Sequence, residues 1–211
     1  ETHVARSIYD NNQFYVTDVL GTQTIANAVL KFRKRIERFI HISTSEVYGT
    51  AVGKKPMNEE HPLNPKSPYA SAKVGADRLV YSYWATYGIP VVIIRPFNNY
   101  GPKQHLEKMI PRFITSALTG QPLTIHGDGS ASRDWLHVAD HCLALDKVIH
   151  ASGKKVFGQA INLGTGKLAA TLFGGLSHAC AVLTDASLKC WGGNTNGQLG
   201  LEDANARGDG A

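Results

Sequence analysis

Tyr69 and Lys73 are the residues of this sequence whose types and spacing most directly suggest chemistry. They lie four positions apart in a segment of helical periodicity, so both side chains project from one face of a helix. A lysine ammonium beside a phenol lowers the phenol pKa from its usual value of about 10. The phenolate would then accept a proton from a substrate hydroxyl while a hydride leaves the same carbon. The alternative is a packed Tyr69 beside a solvated Lys73, because this spacing also arises by chance.

Helices and short buried strands alternate around this pair. Gly88 ends the helix that carries it, and Pro90 precedes the β-branched run of the next strand. The alternation indicates βαβ units, so we predict an α/β domain with a doubly wound parallel sheet, of which only part is present. Helical periodicity covers residues 16–32, 69–87, 110–118 and 139–150, and strand-like apolar runs cover residues 38–43, 91–94, 123–125 and 159–163.

A polar segment, residues 43–49, directly follows the first predicted strand. In parallel α/β sheets, ligands bind at the carboxyl ends of the strands. The side chains of Thr44, Ser45 and Glu46 are therefore predicted to face an active site, which places them near Tyr69 and Lys73.

Several segments occur in the order that is typical of one enzyme family. Together they closely resemble the extended short-chain dehydrogenase/reductase family, and the resemblance covers roughly residues 1–167. It implies a partial Rossmann-like fold with a substrate-binding carboxyl-terminal part, NAD as cofactor and a nucleoside-diphosphate sugar as substrate. The segments are residues 1–8, residues 43–49, the Tyr69-x-x-x-Lys73 pair, residues 95–102 and residues 127–134.

Glu46 is the residue that discriminates within this family, since 4-epimerases usually carry a small residue there and 4,6-dehydratases carry glutamate. The resemblance therefore implies a nucleotide-sugar 4,6-dehydratase, which oxidises C4, removes the C5 proton, expels the C6 hydroxyl as water and returns the hydride to C6. Thr44 would hydrogen-bond the 4-oxygen and Glu46 would remove the C5 proton. Tyr69 would be the base for oxidation, with its pKa lowered by Lys73. The alternative for Glu46 is a loop carboxylate in solvent.

The resemblance also implies the binding residues. Arginine side chains suit a diphosphate because they offer paired donors and a permanent charge. The alternative for Arg133 is an ion pair with a carboxylate such as Asp134. The substrate-binding residues implied are His3, Arg6, Ser45, Asn98 and Arg133, and the cofactor-binding residues implied are Thr2, Ser43, Tyr69, Lys73 and Pro96.

Some residues depart from the patterns of individual family members. Ser45 stands where the deoxythymidine-diphosphate-glucose dehydratases have aspartate, so the nucleotide stays open. The residues between Tyr69 and Lys73 lack the acidic residue and glycine of the decarboxylases, which favours dehydration. Ala5 replaces an aspartate that is common in dehydratases. An epimerase or a decarboxylase of the same fold is the alternative function.

The glycine-rich motif that binds the dinucleotide phosphates is not found after any predicted strand of this sequence, and Glu1 suggests a start within a fold. We therefore expect the isolated chain to bind NAD poorly and to be inactive. By resemblance, the intact enzyme would be a cytoplasmic homodimer, paired through the helices of residues 16–32 and 69–87.

The sequence changes in character after Lys167 and becomes rich in Gly, Asn, Asp and Ser. Strand-like runs at residues 181–183 and 187–191 flank a predicted hairpin turn at Asp185-Ala186. This tail resembles one repeat of the regulator-of-chromosome-condensation type β-propeller. We predict domains at residues 1–168 and 169–211, the second being an incomplete single repeat. A propeller-type interaction module, with the α/β part as passenger, is the alternative from another functional class.

Cysteine, charge and hydropathy patterns limit the other options. Cys180 and Cys190 are either disulfide-bonded or free, and Cys142 is predicted to be a core residue. The net charge is +5, but the basic cluster at residues 31–38 is better explained as cations at a helix carboxyl end than as a nucleic-acid patch. No apolar run reaches the ~18 residues of a membrane span. The nine histidines show no metal-ligand spacing, so no metal site is predicted.

Overall fold

The computed structural model describes residues 1–51, 57–123, 132–166, 168–174, 178–183 and 188–192. The chain divides into two compact units, Glu1–Phe97 with Asp140–Leu163, and Asn98–Ala139 with Gly164–Ala211. Each unit is described by itself below.

The helices and strands follow one another in the alternation that the sequence predicts. A π-helical turn, Tyr15–Leu20, joins the second and third helices, and a 3-10 turn, Ser45–Tyr48, follows the first strand. The α-helices are α1 Val4–Tyr9, α2 Asn12–Phe14, α3 Gly21–Lys31, α4 Pro68–Tyr87, α5 Met109–Leu118, α6 Val138–His150 and α7 Gly153–Val156. The strands are β1 Phe39–Ile42, β2 Val91–Pro96, β3 Asn98–Tyr100, β4 Arg133–His137, β5 Ala160–Leu163, β6 Leu168–Gly174, β7 His178–Leu183 and β8 Leu188–Gly192.

A parallel sheet in the order β1-β2-β5 forms the centre of the first unit. Phe39 pairs with Val91, and Ile93 pairs with Ala160. The central strand is fully buried from Val91 to Ile94. A continuous β-branched run of this kind is typical of a parallel strand that is covered on both faces. The predicted α/β class with a parallel sheet is confirmed.

Helix α4 carries Tyr69 and Lys73, and local sequence signals define both of its ends. The Ser67 hydroxyl accepts a hydrogen bond from the Ala70 amide at 3.1 Å, and Pro68 occupies the first turn. At the other end, Gly88 adopts φ 66°, a left-handed conformation that lacks a steric penalty only for glycine. Half of the buried residues of the helix are alanines, so neighbouring elements approach closely.

The helix predicted over residues 16–32 contains a π-helical turn at Tyr15–Leu20 rather than regular α-helix throughout. A π-turn inserts one residue into the helical repeat and rotates the preceding side chains. Phe14, just before the turn, is fully buried, and Asp18 within it is 8% exposed. Periodicity over a long window averages out such an insertion, so the sequence pattern did not reveal it.

Helix α6 corrects one prediction and refines another. Cys142 is exposed rather than part of the core. The covered face of α6 includes Val148, which lies on a different side of the helix at 100° per residue. Arg38, from the basic cluster, donates hydrogen bonds to the Val148 carbonyl and, at 2.6 Å, to the Ala151 carbonyl. Lys31 lies in the last turn of α3 as well, so cations of the cluster lie at the carboxyl ends of both α3 and α6.

Sheet pairing connects the strands of the second unit. Strand β3 runs parallel to β4, with Asn98 opposite Trp135, and β4 pairs antiparallel with β6. Strands β6, β7 and β8 form an antiparallel ladder in which Cys180 lies opposite Cys190. Most of the strand predicted at residues 123–125 and the hairpin turn at residues 185–186 lie outside the described residues.

Two features are absent from the described part of the chain. No helix there is long and apolar enough to cross a membrane. Nor does that part bring together three or more His, Cys, Asp or Glu side chains as a metal site would require.

Candidate active site

The segment that follows β1 places Thr44 and Glu46 at the carboxyl end of the sheet. The Thr44 hydroxyl caps the 3-10 turn by accepting a hydrogen bond from the Glu46 amide at 3.2 Å. Gly49 ends the turn at φ 74°, where a Cβ atom would lie 2.0 Å from the Asn64 carbonyl oxygen. The position therefore requires glycine, and the conformation of the Glu46 turn depends on it.

Tyr69 lies in the first turn of α4 and is 7% exposed. Its amide donates a hydrogen bond to the Ser7 hydroxyl at 3.1 Å, and its ring meets Phe14 edge-on at a centroid distance of 6.2 Å. Burial raises the pKa of Tyr69, a hydrogen bond with Thr44 lowers it, and the charges of Asp18 and Glu46 raise it further. These contributions show that the structure brings Thr44, Glu46 and Tyr69 together.

Lys73 lies one turn further along the same face of α4. Its ammonium donates a hydrogen bond to the Ile42 carbonyl at 2.8 Å. Burial lowers the pKa of Lys73, whereas the charges of Asp18 and Asp77 raise it. The predicted lowering of the Tyr69 pKa by Lys73 stays a prediction; in the structure, burial is the largest influence on the phenol and raises its pKa.

The amino-terminal residues predicted to bind ligands lie in and before α1. The His3 ring caps α1 by accepting a hydrogen bond from the Arg6 amide at 3.1 Å. The Arg6 side chain is about half exposed and lies 3.5 Å from the Glu1 carboxylate. Thr2 is exposed. Through Ser7, α1 is attached to the backbone of Tyr69, so this segment is tied to the start of α4.

Asn98 and Arg133 lie in the second unit, on the neighbouring strands β3 and β4. Arg133 is exposed, and its guanidinium donates to the Ser132 carbonyl at 2.9 Å. Its neighbour Asp134 is buried and accepts hydrogen bonds from the Thr165 amide and hydroxyl, at 3.0 and 2.6 Å, and from the Gly166 amide at 2.9 Å. The Asp134 carboxylate therefore binds the backbone of the loop after β5. This differs from the alternative in which it forms an ion pair with Arg133.

A buried ionic network that the sequence reasoning missed connects α4 to the Glu46 turn. Arg95 donates two hydrogen bonds to the Asp77 carboxylate, at 2.9 and 3.0 Å, and one to the Tyr48 hydroxyl at 2.9 Å. Tyr48 in turn donates to the Asn162 side chain at 2.8 Å. Asp77 and Tyr48 are fully buried and Arg95 is 2% exposed. The sequence signals were a charged residue ending an apolar strand and an aspartate four positions after Lys73.

Comparison with known proteins identifies the family. Residues 1–164 match the NAD dependent epimerase/dehydratase family. The chain belongs to this family.

Two curated members of the family illustrate the similarity. The low-salt glycan biosynthesis protein Agl12 of Haloferax volcanii is 46% identical over 166 residues, which are 79% of this chain and 52% of the relative. A dTDP-glucose 4,6-dehydratase of Actinoplanes sp. is 45% identical over 166 residues, which are 79% of this chain and 50% of the relative. The chain thus spans about half the length of these curated relatives.

Solved structures of other family members share the fold. DesIV, a dTDP-glucose 4,6-dehydratase of Streptomyces venezuelae with NAD and TYD bound, has a TM-score of 0.75 at 41% identity, over 81% of this chain and 51% of that one. A UDP-glucuronic acid 4-epimerase of Bacillus cereus, in complex with UDP-glucuronic acid and NAD, has a TM-score of 0.65 at 35% identity, over 71% of this chain and 46% of that one. In the tail, residues 170–198 match the regulator of chromosome condensation (RCC1) repeat.

Members of the epimerase/dehydratase family are NAD-dependent enzymes, and Ser43 offers a buried polar group that is compatible with a bound cofactor. Ser43 is 4% exposed at the end of β1, and its hydroxyl oxygen has no hydrogen-bond partner among the described residues. An orphaned buried hydroxyl is costly unless another group supplies its partner. Bound NAD is one group that would supply this partner. Tyr69 and Lys73 lie close to the same strand end, and Pro96 ends the neighbouring strand β2.

Burial of His41 is expected to make the folding stability of this chain depend on pH. The ring lies in β1 with 7% exposure. Burial, followed by the charge of Lys73, lowers its pKa from 6.5 to about 4, against an opposing influence of Asp77. Below pH 6.5 the unfolded chain takes up a proton on His41 that the folded chain resists. The free energy of unfolding is therefore highest above pH 6.5 and decreases as the pH falls from 6.5 to about 4. The expected loss is about 3 kcal/mol.

Urea unfolding at a series of pH values tests this expectation. The His41→Gln variant should lose stability less steeply than the parent chain between pH 6.5 and 4. The matched control is His150→Gln, because the His150 side chain is 73% exposed. Parallel pH profiles for the parent chain and His41→Gln would contradict the assignment.

Proposed function

We propose that this chain supplies the catalytic part of an NAD-dependent 4,6-dehydratase that acts on a nucleoside-diphosphate hexose. The observation that carries the proposal is the position of Glu46. Its carboxylate lies in the turn capped by Thr44, close enough to raise the pKa of Tyr69 by its charge. An epimerase needs only hydride transfer, whereas dehydration needs a second base for the C5 proton.

In this proposal each residue has one task in proton transfer. NAD, when bound, supplies the hydride acceptor for C4 and the hydride donor for C6. Tyr69 accepts the proton of the 4-hydroxyl, and Thr44 is the hydrogen-bond partner that favours its phenolate. Glu46 accepts the C5 proton, which the 4-keto group acidifies, so that the C6 hydroxyl can leave as water. The hydrogen bond from the Lys73 ammonium to the Ile42 carbonyl positions its positive charge at the end of β1.

The substrate assignment is supported by the relatives but stays at the level of a nucleoside-diphosphate sugar. Several relatives of this chain are dTDP-glucose 4,6-dehydratases, and one solved neighbour is a UDP-glucuronic acid 4-epimerase. Ser45 is buried and stands where, by the family resemblance, the dTDP-glucose dehydratases have aspartate, so the nucleotide stays open. We include His3, Arg6, Asn98 and Arg133 in the proposal as substrate-binding residues, and Thr2 and Pro96 as cofactor-binding residues.

A segment exchange tests the proposed function directly. The matched segment of the Actinoplanes dehydratase, 45% identical to this chain, would be replaced by residues 1–164. We expect the chimera to convert dTDP-glucose to a product that has lost one water and, in deuterium oxide, carries deuterium at C5. A chimera that binds NAD but yields only the C4 epimer would overturn the proposal in favour of an epimerase.

We also propose that the intact enzyme is a cytoplasmic homodimer that pairs through α3, the preceding π-turn and α4. Support comes from apolar side chains left exposed on this segment, Val16 at 48%, Leu20 at 54% and Ile25 at 55%. Light scattering of the chimera would show twice the subunit mass. A monomer at micromolar concentration would contradict the proposal, as would recovery of the natural protein outside the cytoplasmic fraction.

The division into domains at residue 168 is part of the same proposal. The two family matches, over residues 1–164 and 170–198, support it. The antiparallel ladder β6-β7-β8 is the described part of the proposed single β-propeller repeat. A propeller-type interaction module remains the alternative for this segment.

A further inference from the structure

The position of the Glu46 carboxylate depends on the backbone of the 3-10 turn that carries it. Glu46 is half-buried, whereas Val47 and Tyr48, which follow it in the turn, are fully buried. Among the described residues, no side chain is hydrogen-bonded to the Glu46 carboxylate. Whatever holds the turn in place therefore also sets where a base at this position can reach.

Tyr48 is the residue through which three other elements contact this turn. Its hydroxyl accepts a hydrogen bond from Arg95 of β2 at 2.9 Å and donates one to the Asn162 side chain of β5 at 2.8 Å. Arg95 is itself held by two hydrogen bonds to Asp77 of α4, and its guanidinium lies 5.1 Å from the centre of the Tyr48 ring. The hydroxyl thus has one donor and one acceptor on neighbouring strands, and together they fix the orientation of the ring.

A second set of contacts comes from the chain segment that follows the turn. The Asn64 amide donates a hydrogen bond to the Val47 carbonyl at 2.9 Å. The same segment is bound to Asn162, whose side chain donates to the Met57 carbonyl at 3.1 Å. Asn162 therefore connects the Tyr48 hydroxyl both to β5 and to the segment that closes on the turn.

We propose that Tyr48 is a positioning residue whose hydroxyl fixes the turn that carries Glu46 for removal of the C5 proton. The catalytic meaning of this role rests on the proposed function, whereas the restraint on the turn does not. A phenylalanine would fill the same space, so the hydroxyl adds direction rather than volume. A displacement of about 1 Å is enough to slow a catalytic step, so a turn that can shift would lose rate in a chain that is still folded.

Amide hydrogen exchange of the full chain, followed by NMR, tests the restraint without substrate. In Tyr48→Phe the Gly49 and Asn64 amides, which bond to carbonyls of the turn, should exchange about 2–10-fold faster, the equivalent of one hydrogen bond. The Ser43 amide, bonded to a carbonyl of β2 at 2.7 Å, should change less. Parent rates at Gly49 and Asn64, or equal acceleration of all three amides, would overturn the proposal.

The chimera described above tests the consequence for the reaction. Tyr48→Phe should slow deuterium exchange at C5 by about 10–10²-fold, while KM and the oxidation at C4, followed as reduced NAD in the first turnover, stay close to those of the parent. The matched control is Tyr9→Phe, because Tyr9 is 91% exposed and its hydroxyl should affect neither step.

A second variant covers the case in which circular dichroism shows that Tyr48→Phe is not folded. Asn162→Ala removes the acceptor of the Tyr48 hydroxyl and should slow C5 exchange in the same way. Equal losses of C4 oxidation and C5 exchange in the folded variant would overturn the proposal. A parent chimera without C5 exchange would instead overturn the proposed function, and amide exchange would still decide whether Tyr48 fixes the turn.

Discussion

Replacing Asp77 by alanine is expected to reduce the unfolding free energy of the chain by about 3–5 kcal/mol. Asp77 is fully buried in α4 and receives two hydrogen bonds from Arg95. Burial alone would raise the pKa of Asp77, but the hydrogen bonds and charges of Arg95 and Arg78 outweigh it and lower the pKa. The substitution would leave the Arg95 guanidinium, 2% exposed, without its anionic partner.

Urea unfolding at neutral pH measures this loss. The matched control is Asp146→Ala, whose side chain is 67% exposed beside His150 and which should change stability by less than about 0.5 kcal/mol. Equal effects of the two substitutions would contradict the expectation. A double variant, Asp77→Leu with Arg95→Met, should recover much of the loss, because an apolar pair of similar size removes both buried charges.

Exchanging Glu46 for glutamine in the chimera is expected to reduce deuterium exchange at C5 by about 10²–10⁴-fold, the usual contribution of a general base. Glutamine keeps the shape and polarity of the side chain but cannot accept the proton. Oxidation at C4 should persist, because Tyr69 and Thr44 are unchanged. Tyr69→Phe should abolish both oxidation and exchange, since exchange depends on the 4-keto group.

Mass spectrometry of the sugar after reaction in deuterium oxide separates these steps. Glu37→Gln is the matched control, since Glu37 is exposed and should leave both steps unchanged. Wild-type exchange in Glu46→Gln would show that another group removes the C5 proton. It would also return Glu46 to the alternative of a solvated loop carboxylate.

The sequence alone determined the elements whose causes are local. Helix α4 begins at the Ser67 cap and Pro68 and ends at Gly88, because these residues act within one turn of the helix. The apolar run of β2 predicted a strand buried on both faces, since no polar side chain interrupts it. The spacing of Tyr69 and Lys73 placed both on one helix face, because that relation depends only on the helical repeat.

The family resemblance, rather than any local signal, predicted that the separate segments form one site. The comparisons confirm the family and its dependence on NAD. The assignment of individual residues remains a proposal. All four predicted catalytic residues lie around the end of β1 and the start of α4: Thr44, Glu46, Tyr69 and Lys73.

Only the tertiary structure decided the electrostatics of this site. Tyr69 has a raised pKa because it is buried, with its ring edge-on to Phe14 and its amide bonded to Ser7 of α1. The Asp77–Arg95 pair joins residues 18 positions apart, and the contact between Arg95 and Tyr48 spans 47. Such contacts depend on which elements become neighbours. Desolvation and charge act through space, so the spacing of residues along the chain does not predict the resulting pKa shifts.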